Sequence, residues 1–262
     1  MTGLKFGLKL WSSNRNLIAL AKRAVLDGVF QYVELMVVPG TDPSDFKKAG
    51  IPFILHATSE NWDFNIADVD RGQSNLAIIK NCLDWADELE VKYVIVHPGF
   101  GEFAPAKNFL DKMNDSRILI ENMPKVGMGG EKMVGYEPGQ IKQLAERFGF
   151  CLDLNHAIKA AVSLKKNYKE LILEFFKLNP KVIHISDGSF KSEKDDHLDI
   201  GKGDFDFYFF AECIKKNRVN YISLETPKTD LNSIKGDIDN LKNLKNLIGS
   251  DCLSLNLSVK TV

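Results

Sequence analysis

Short apolar runs alternate along the chain with longer segments in which apolar residues recur every third or fourth position. The runs Lys5–Trp11, Tyr32–Val38, Phe53–Ala57, Tyr93–His97, Arg117–Glu121, Phe150–Leu154, Val182–Ser186 and Tyr221–Glu225 read as strands. Each is rich in branched or aromatic residues and too short for a buried helix. Helical periodicity falls between them, over Leu17–Leu26, Ser44–Ala49, Gly72–Glu90, Ala106–Met113, Gln140–Phe148, Tyr168–Leu178, Phe207–Asn217 and Leu231–Ile248. In the third of these the apolar face is Leu76, Ile79, Cys82, Leu83 and Ala86. Asn14 or Asn16 is expected to cap the first helix, and Gly50 and Gly249 to end the second and the last. The residues after the sixth strand, including His156, are read as a loop.

Eight strands alternating with helical segments over about 250 residues form the pattern of a single (β/α)8 TIM barrel. An open doubly wound sheet is the rival, but no GxGxxG or GxxxxGK[ST] follows the first strand. One domain over residues 1–250 is the simpler reading, with 251–262 as a tail that the pattern does not place. The chain has 262 residues, 44% of them hydrophobic and 26% charged, with 34 Lys+Arg against 35 Asp+Glu. Those proportions belong to a soluble globular protein, and a net charge of −1 gives no general attraction to nucleic acid or anionic membrane. Cys82, Cys151, Cys213 and Cys252 form no CxxC pair, which fits a reducing compartment. With no apolar run near the ~20 residues of a membrane span and no secretion-signal pattern, a cytoplasmic location is expected.

The placement of the histidines is the informative fact. There are five, and each lies at or beyond the C-terminal end of a predicted strand: His56, His97, His184, then His156 just after the sixth strand and His197 between the seventh and eighth. Glu121, Asp153 and Glu225 stand at strand ends too, and Asp195 lies two residues before His197. In a (β/α)8 barrel these ends converge on one mouth. Imidazoles and carboxylates in one basin are divalent-metal ligands, and a metal relieves the repulsion among the carboxylates. The metal site is therefore expected at the C-terminal ends of the strands.

Other candidates are less specific. Gly201-Lys202-Gly203-Asp204 has two readings. It is either a phosphate cradle with Lys202 as a substrate contact, or, preferred, a turn that positions the ligands before it. Trp11 and Trp62 either line the mouth or pack in the core; Trp62 is carried forward as a substrate contact. No GxSxG nucleophile elbow is present.

The ordered series His56-Ala57, His97-Pro98-Gly99, Glu121-Asn122, Asp153-Leu154-Asn155-His156, His184-Ile185-Ser186-Asp187, Asp195-Asp196-His197, Ile200-Gly201-Lys202-Gly203 and Leu224-Glu225-Thr226 resembles the endonuclease IV family. That family comprises apurinic/apyrimidinic endonucleases within the xylose-isomerase-like barrel superfamily. The resemblance covers about residues 5–248. It implies three zinc ions, with manganese as another occupant. His56, His97 and Glu121 would hold the first. Glu121 would bridge to a second, also held by Asp153, His184 and Glu225. His156, Asp195 and His197 would hold the third. It also implies hydrolysis of a phosphodiester at an abasic site in DNA, with Glu121 and Glu225 as catalytic residues orienting the attacking water.

The chain departs from this family where the family handles DNA. Thr58-Ser59-Glu60-Asn61 replaces the wedging pair after the first histidine, and Glu60 would repel phosphate. The loop after the second strand is only Pro39-Gly40-Thr41-Asp42-Pro43. The substrate is thus abasic DNA, a smaller phosphodiester or a sugar. The alternative function is a single-metal sugar isomerase or epimerase of the same superfamily, using Glu121, Asp153, His184 and Glu225. A third reading is a metal-retaining barrel that only binds a ligand.

Overall fold

Strand β1 (Lys5–Trp11) pairs in parallel with both β2 (Tyr32–Met36) and β8 (Tyr221–Leu224), and this double pairing closes the sheet. Between them run β3 (Phe53–His56), β4 (Val94–Val96), β5 (Ile118–Glu121), β6 (Gly149–Asp153) and β7 (Val182–Ile185), each parallel to its neighbours, in the order β1 to β8 around a closed barrel. This computed structural model describes residues 3–249; the tail 251–262 lies outside the described residues. The helices are α1 (Ile18–Leu26), α2 (Ser44–Ala49), α3 (Gly72–Glu88), α4 (Phe103–Leu110), α5 (Pro138–Leu144), α6 (Leu154–Leu164), α7 (Tyr168–Phe176), α8 (Phe207–Asn217) and α9 (Lys235–Ile248). The fold is the expected (β/α)8 barrel. Among the described residues, no helix is long and apolar enough to cross a membrane.

Alternation along the strands divides the core in two. Val33 and Leu35, Phe53 and Leu55, Val94 and Val96, and Ile183 and Ile185 belong to the large cluster between sheet and helices. Their strand neighbours Tyr32, Ile54, Ile95, Leu119, Cys151 and Val182 form a separate cluster inside the barrel, with Tyr93 and Tyr221 against it. Gly7 leaves room in this layer for the Tyr32 ring, which a Cβ at position 7 would strike.

Several elements differ from the sequence reading. α6 was read as a loop. It follows β6 with no intervening turn, because Asp153 ends the strand and also caps the helix, its carboxylate accepting from His156 N–H at 2.7 Å. No Gly or Pro marks the change; the local signal is Asp153 itself, a capping residue before the helical spacing of Leu154, Ala157, Ile158 and Ala161. Neither Asn14 nor Asn16 caps α1. The side chain of Asn14 accepts from Trp11 N–H at 3.0 Å, that of Asn16 donates to the Leu231 carbonyl at 2.9 Å, and a 3-10 turn over Arg15–Leu17 leads into the helix. α4 begins earlier than Ala106, with Pro105 in its first turn, where the missing N–H costs nothing. α2 matches its expected bounds and ends at Gly50, at φ 64°.

Candidate metal centre

Two residues beyond each apolar residue of the inner layer, the same strand face carries a polar one. Ile54 is followed by His56, Ile95 by His97, Leu119 by Glu121, Cys151 by Asp153, and Val182 by His184. On β2 and β8 the same step leads from Tyr32 to Glu34 and from Tyr221 to Ser223 and Glu225. Period two therefore turns these side chains to the inner face of the barrel, beyond its apolar floor. His156 joins from the first turn of α6, and Asp195 and His197 from the β7–α8 loop.

The distances are those of a coordination cluster. His56 Nε2 and His97 Nε2 lie 3.1 and 3.2 Å from Glu121 Oε2. His184 Nδ1 lies 3.2 Å from both Glu121 Oε1 and Glu225 Oε1, and 3.9 Å from Asp153 Oδ2. Asp195 reaches His156 Nε2 at 3.4 Å with one oxygen and His197 Nε2 at 3.2 Å with the other. Zinc bonds of about 2.0–2.2 Å set neighbouring tetrahedral ligands roughly 3.3–3.5 Å apart, so the shorter of these edges have the length that ligands of one divalent ion keep. The ligand atoms of His56, His97 and Glu121 lie within 4.8 Å of one another, as do those of Glu121, Asp153, His184 and Glu225, and those of Asp153, His156 and His197.

Tautomers follow from the second partner of each ring. A carbonyl only accepts, so His56 Nδ1–H donates to Ala57 O at 2.5 Å and His156 Nδ1–H to Asn122 O at 2.9 Å. In both rings Nε2 is then the nitrogen turned to the basin. His97 Nδ1 faces Glu60 Oε2 at 3.6 Å, too far for a hydrogen bond. Both atoms, and His197 Nε2, are buried without a hydrogen-bond partner. Buried lone pairs without donors, in a shell of imidazole and carboxylate, fit zinc or a similar ion.

Electrostatics without an ion show what the cluster lacks. Burial opposes ionisation of Glu121, but the charges of His184 and His97 hold its carboxyl well below the usual range. Burial, with the charges of Glu121 and Glu225, raises Asp153 to about 6 against the pull of His156. Burial would lower His97, but Glu121 and Glu60 raise it to about 9. Protons on His97, His156 and His184, each raised by neighbouring carboxylates, thus supply positive charge that a metal would otherwise bring. Burial pushes the Cys151 thiol up, so it stays protonated beneath the cluster.

A family model described as a xylose isomerase-like TIM barrel matches residues 44–247. The chain belongs to this family. Among curated relatives of this xylose isomerase-like barrel, a probable endonuclease 4 of Sulfurihydrogenibium is 27% identical over 230 residues, 75% of this chain and 77% of that protein. An uncharacterised protein of Methanocaldococcus jannaschii is 30% identical over 189 residues, 65% of this chain and 68% of that protein. Endonuclease IV of Thermus thermophilus superposes with a TM-score of 0.70 at 19% identity, over 93% of this chain and 98% of that one. A D-tagatose 3-epimerase-like protein reaches the same TM-score at 18% identity, over 94% and 98%. The solved structures share the fold; the enzymes named among the relatives and neighbours are of both kinds, endonuclease and epimerase.

In the xylose isomerase-like barrel described here, a cavity of about 390 Å³ opens above the cluster, walled by Trp11, Met36, Trp62 and Met128 and by Lys9 and Lys228. Trp62 is therefore at the mouth. Lys202 is exposed and does not line that cavity. The N–H groups of Gly201 and Gly203 both donate to Asp187 Oδ2 at 2.9 Å, so this segment is a turn tied to the loop base. Glu60 is turned toward His97.

Sequence reasoning missed Lys9, Glu34 and Lys159. Lys9 and Glu34 are paired residues of β1 and β2, bonded at 2.6 Å inside the barrel. Their signal was a charge at an inward position of an apolar strand. Lys159 is fully buried, pairs with Asp196 at 2.7 Å and donates to Ser189 O at 2.7 Å, anchoring the loop that carries Asp195 and His197. Its signal was hidden with α6.

Proposed function

We propose that the chain is a metal-dependent phosphodiester hydrolase of endonuclease IV type, with His56, His97, Glu121, Asp153, His156, His184, Asp195, His197 and Glu225 holding three zinc ions. The observation that carries this reading is the division of Glu121. One oxygen faces His56 and His97, and the other faces His184. A carboxylate so placed between two ligand sets would hold both neighbouring ions. Zinc in these sites supplies Lewis acidity at a phosphoryl group and acidifies water to near neutral pH.

The chain's own residues do the rest. Lys9 occupies Glu225 Oε1, while Glu225 Oε2 lies on the His197 side, at 3.8 Å. Oε2 is the oxygen available to accept a proton from attacking water. Glu121, with both oxygens committed, orients rather than accepts. Trp11 and Trp62 exclude water from the cavity and set its width. Abasic DNA and smaller phosphodiesters are the substrates to compare; the short β2–α2 loop and a cavity of about 390 Å³ favour the smaller.

A second reading is a single-metal sugar isomerase or epimerase. The group Glu121, Asp153, His184 and Glu225, complete by itself, supports it. Metal content by elemental mass spectrometry and turnover with and without chelator separate the two. Near three zinc ions per chain, with chelator-sensitive cleavage of a chromogenic phosphodiester or an abasic oligonucleotide, is the expected result. Glu225→Gln should then lose about 10²–10⁴-fold in rate while its circular dichroism is unchanged. One ion per chain and activity only on ketoses would overturn the hydrolase.

A further inference from the structure

Beneath the ligand cluster, Glu34 is fully buried on β2 and its carboxylate meets three donors. Lys9 Nζ donates to Oε1 at 2.6 Å, the Ser223 hydroxyl donates to Oε2, and His184 Nε2 lies 3.0 Å from Oε2. Tyr32 extends the chain of bonds, its hydroxyl 2.9 Å from Ser223 Oγ. The three partners of Glu34 come from three strands other than its own, β1, β7 and β8, and β-sheet register holds them. Lys9 pairs with Glu34 across β1 and β2, and His184 with Ser223 across β7 and β8.

This arrangement decides which nitrogen His184 offers. With Nε2–H given to Glu34, the lone pair is on Nδ1, the atom that faces Glu121, Glu225 and Asp153. A carboxylate behind a ligating imidazole fixes the tautomer, aims the ring and strengthens the ligand. Glu34 is itself close enough to compete for an ion, since its oxygen and the ligand atoms of His56, His184 and Glu225 lie within 4.8 Å of one another. The ammonium of Lys9 is already there, bonded to both Glu34 and Glu225.

We propose that Glu34 is a positioning residue for the metal ligand His184, and that Lys9 is the built-in cation that keeps Glu34 out of the ligand set. The proposal rests on the metal-centre reading but on neither choice of reaction, so its test reads binding, not turnover. Zinc affinity is measured by chelator competition on the wild type, Glu34→Ala and Glu34→Gln. Nitrogen NMR of the zinc-loaded wild type reads the His184 tautomer without any substitution. Glu34→Ala is expected to weaken zinc about 10–100-fold, and Glu34→Gln, whose amide oxygen still accepts from Nε2–H, to recover most of that loss. The wild-type spectrum is expected to have Nε2 protonated and Nδ1 on the metal. Wild-type affinity in a folded Glu34→Ala protein, or zinc on His184 Nε2, overturns the proposal. Wild-type protein that takes up no zinc overturns the metal-centre reading, and this inference with it.

Discussion

His97 meets one carboxylate on each side, Glu121 at 3.2 Å and Glu60 at 3.6 Å, and its pKa rises to about 9 although burial alone would lower it. A group raised from 6.5 in the unfolded chain to about 9 in the folded one stabilises the fold fully below pH 6.5. That contribution is lost as pH climbs through 9. In the metal-free protein the stability difference between wild type and His97→Gln should therefore shrink between pH 6.5 and pH 9. The shrinkage should be on the order of 3 kcal/mol, read from denaturant melts at stepped pH. A difference that stays flat over this range would mean that His97 is neutral in the fold. His97 and Glu121 were legible in the sequence as candidates at this scale, because each stands at the end of a predicted strand. Glu60 was not read as a partner of His97, because its loop folds back over β4 only in three dimensions.

The loop between β7 and α8 carries two of the candidate ligands without being a regular element, so its anchorage matters more than its length. Asp187 accepts from the N–H groups of Gly201 and Gly203 at one end. Lys159 on α6 binds Ser189 O and Asp196 in the middle. Lys159→Met leaves Asp196, a neighbour of Asp195, without its cation. Because Asp196 is about a quarter exposed, the cost should fall below that of a fully buried pair, at about 1–3 kcal/mol. The same variant should bind its most weakly held zinc less tightly, so that elemental analysis after mild chelation finds fewer ions than in the wild type. Unchanged stability and unchanged metal content would show that the loop holds itself. Gly99 is anchored comparably after β4. At φ 83°, with Asn65 against its α-carbon, it turns the chain away just past His97.

Across the whole barrel, parallel strands deliver their C-terminal ends to one rim, and the inner apolar layer closes it from below. The rim gathers buried carboxylates whose charge is balanced, when no ion is present, by the Lys9 ammonium and by protons on histidines such as His97. A ligand that binds only the folded chain stabilises it by mass action, by about 2.7 kcal/mol at a hundredfold excess over its dissociation constant. For a chain of this size that corresponds to a rise in Tm of roughly 5–10 °C per site. Zinc added to chelator-treated protein should raise Tm by at least that much, and calcium, which prefers all-oxygen shells, should not. Equal shifts with both ions would point to nonspecific screening of acidic groups.

The barrel followed from hydrophobic period alone, since eight apolar runs separated by helical segments leave few ways to bury both faces of a parallel sheet. The candidate cluster was legible for a related reason: a strand's C-terminal half is a position in the sequence, and every histidine of this chain stands in or after one. The pairing of Lys9 with Glu34, the commitment of His184 Nε2 to Glu34 and the burial of Lys159 against the loop were decided only by the tertiary structure. Each joins residues from different elements. Whether a charge at an inward strand position meets a partner or a void depends on ring closure and register, which no local spacing encodes.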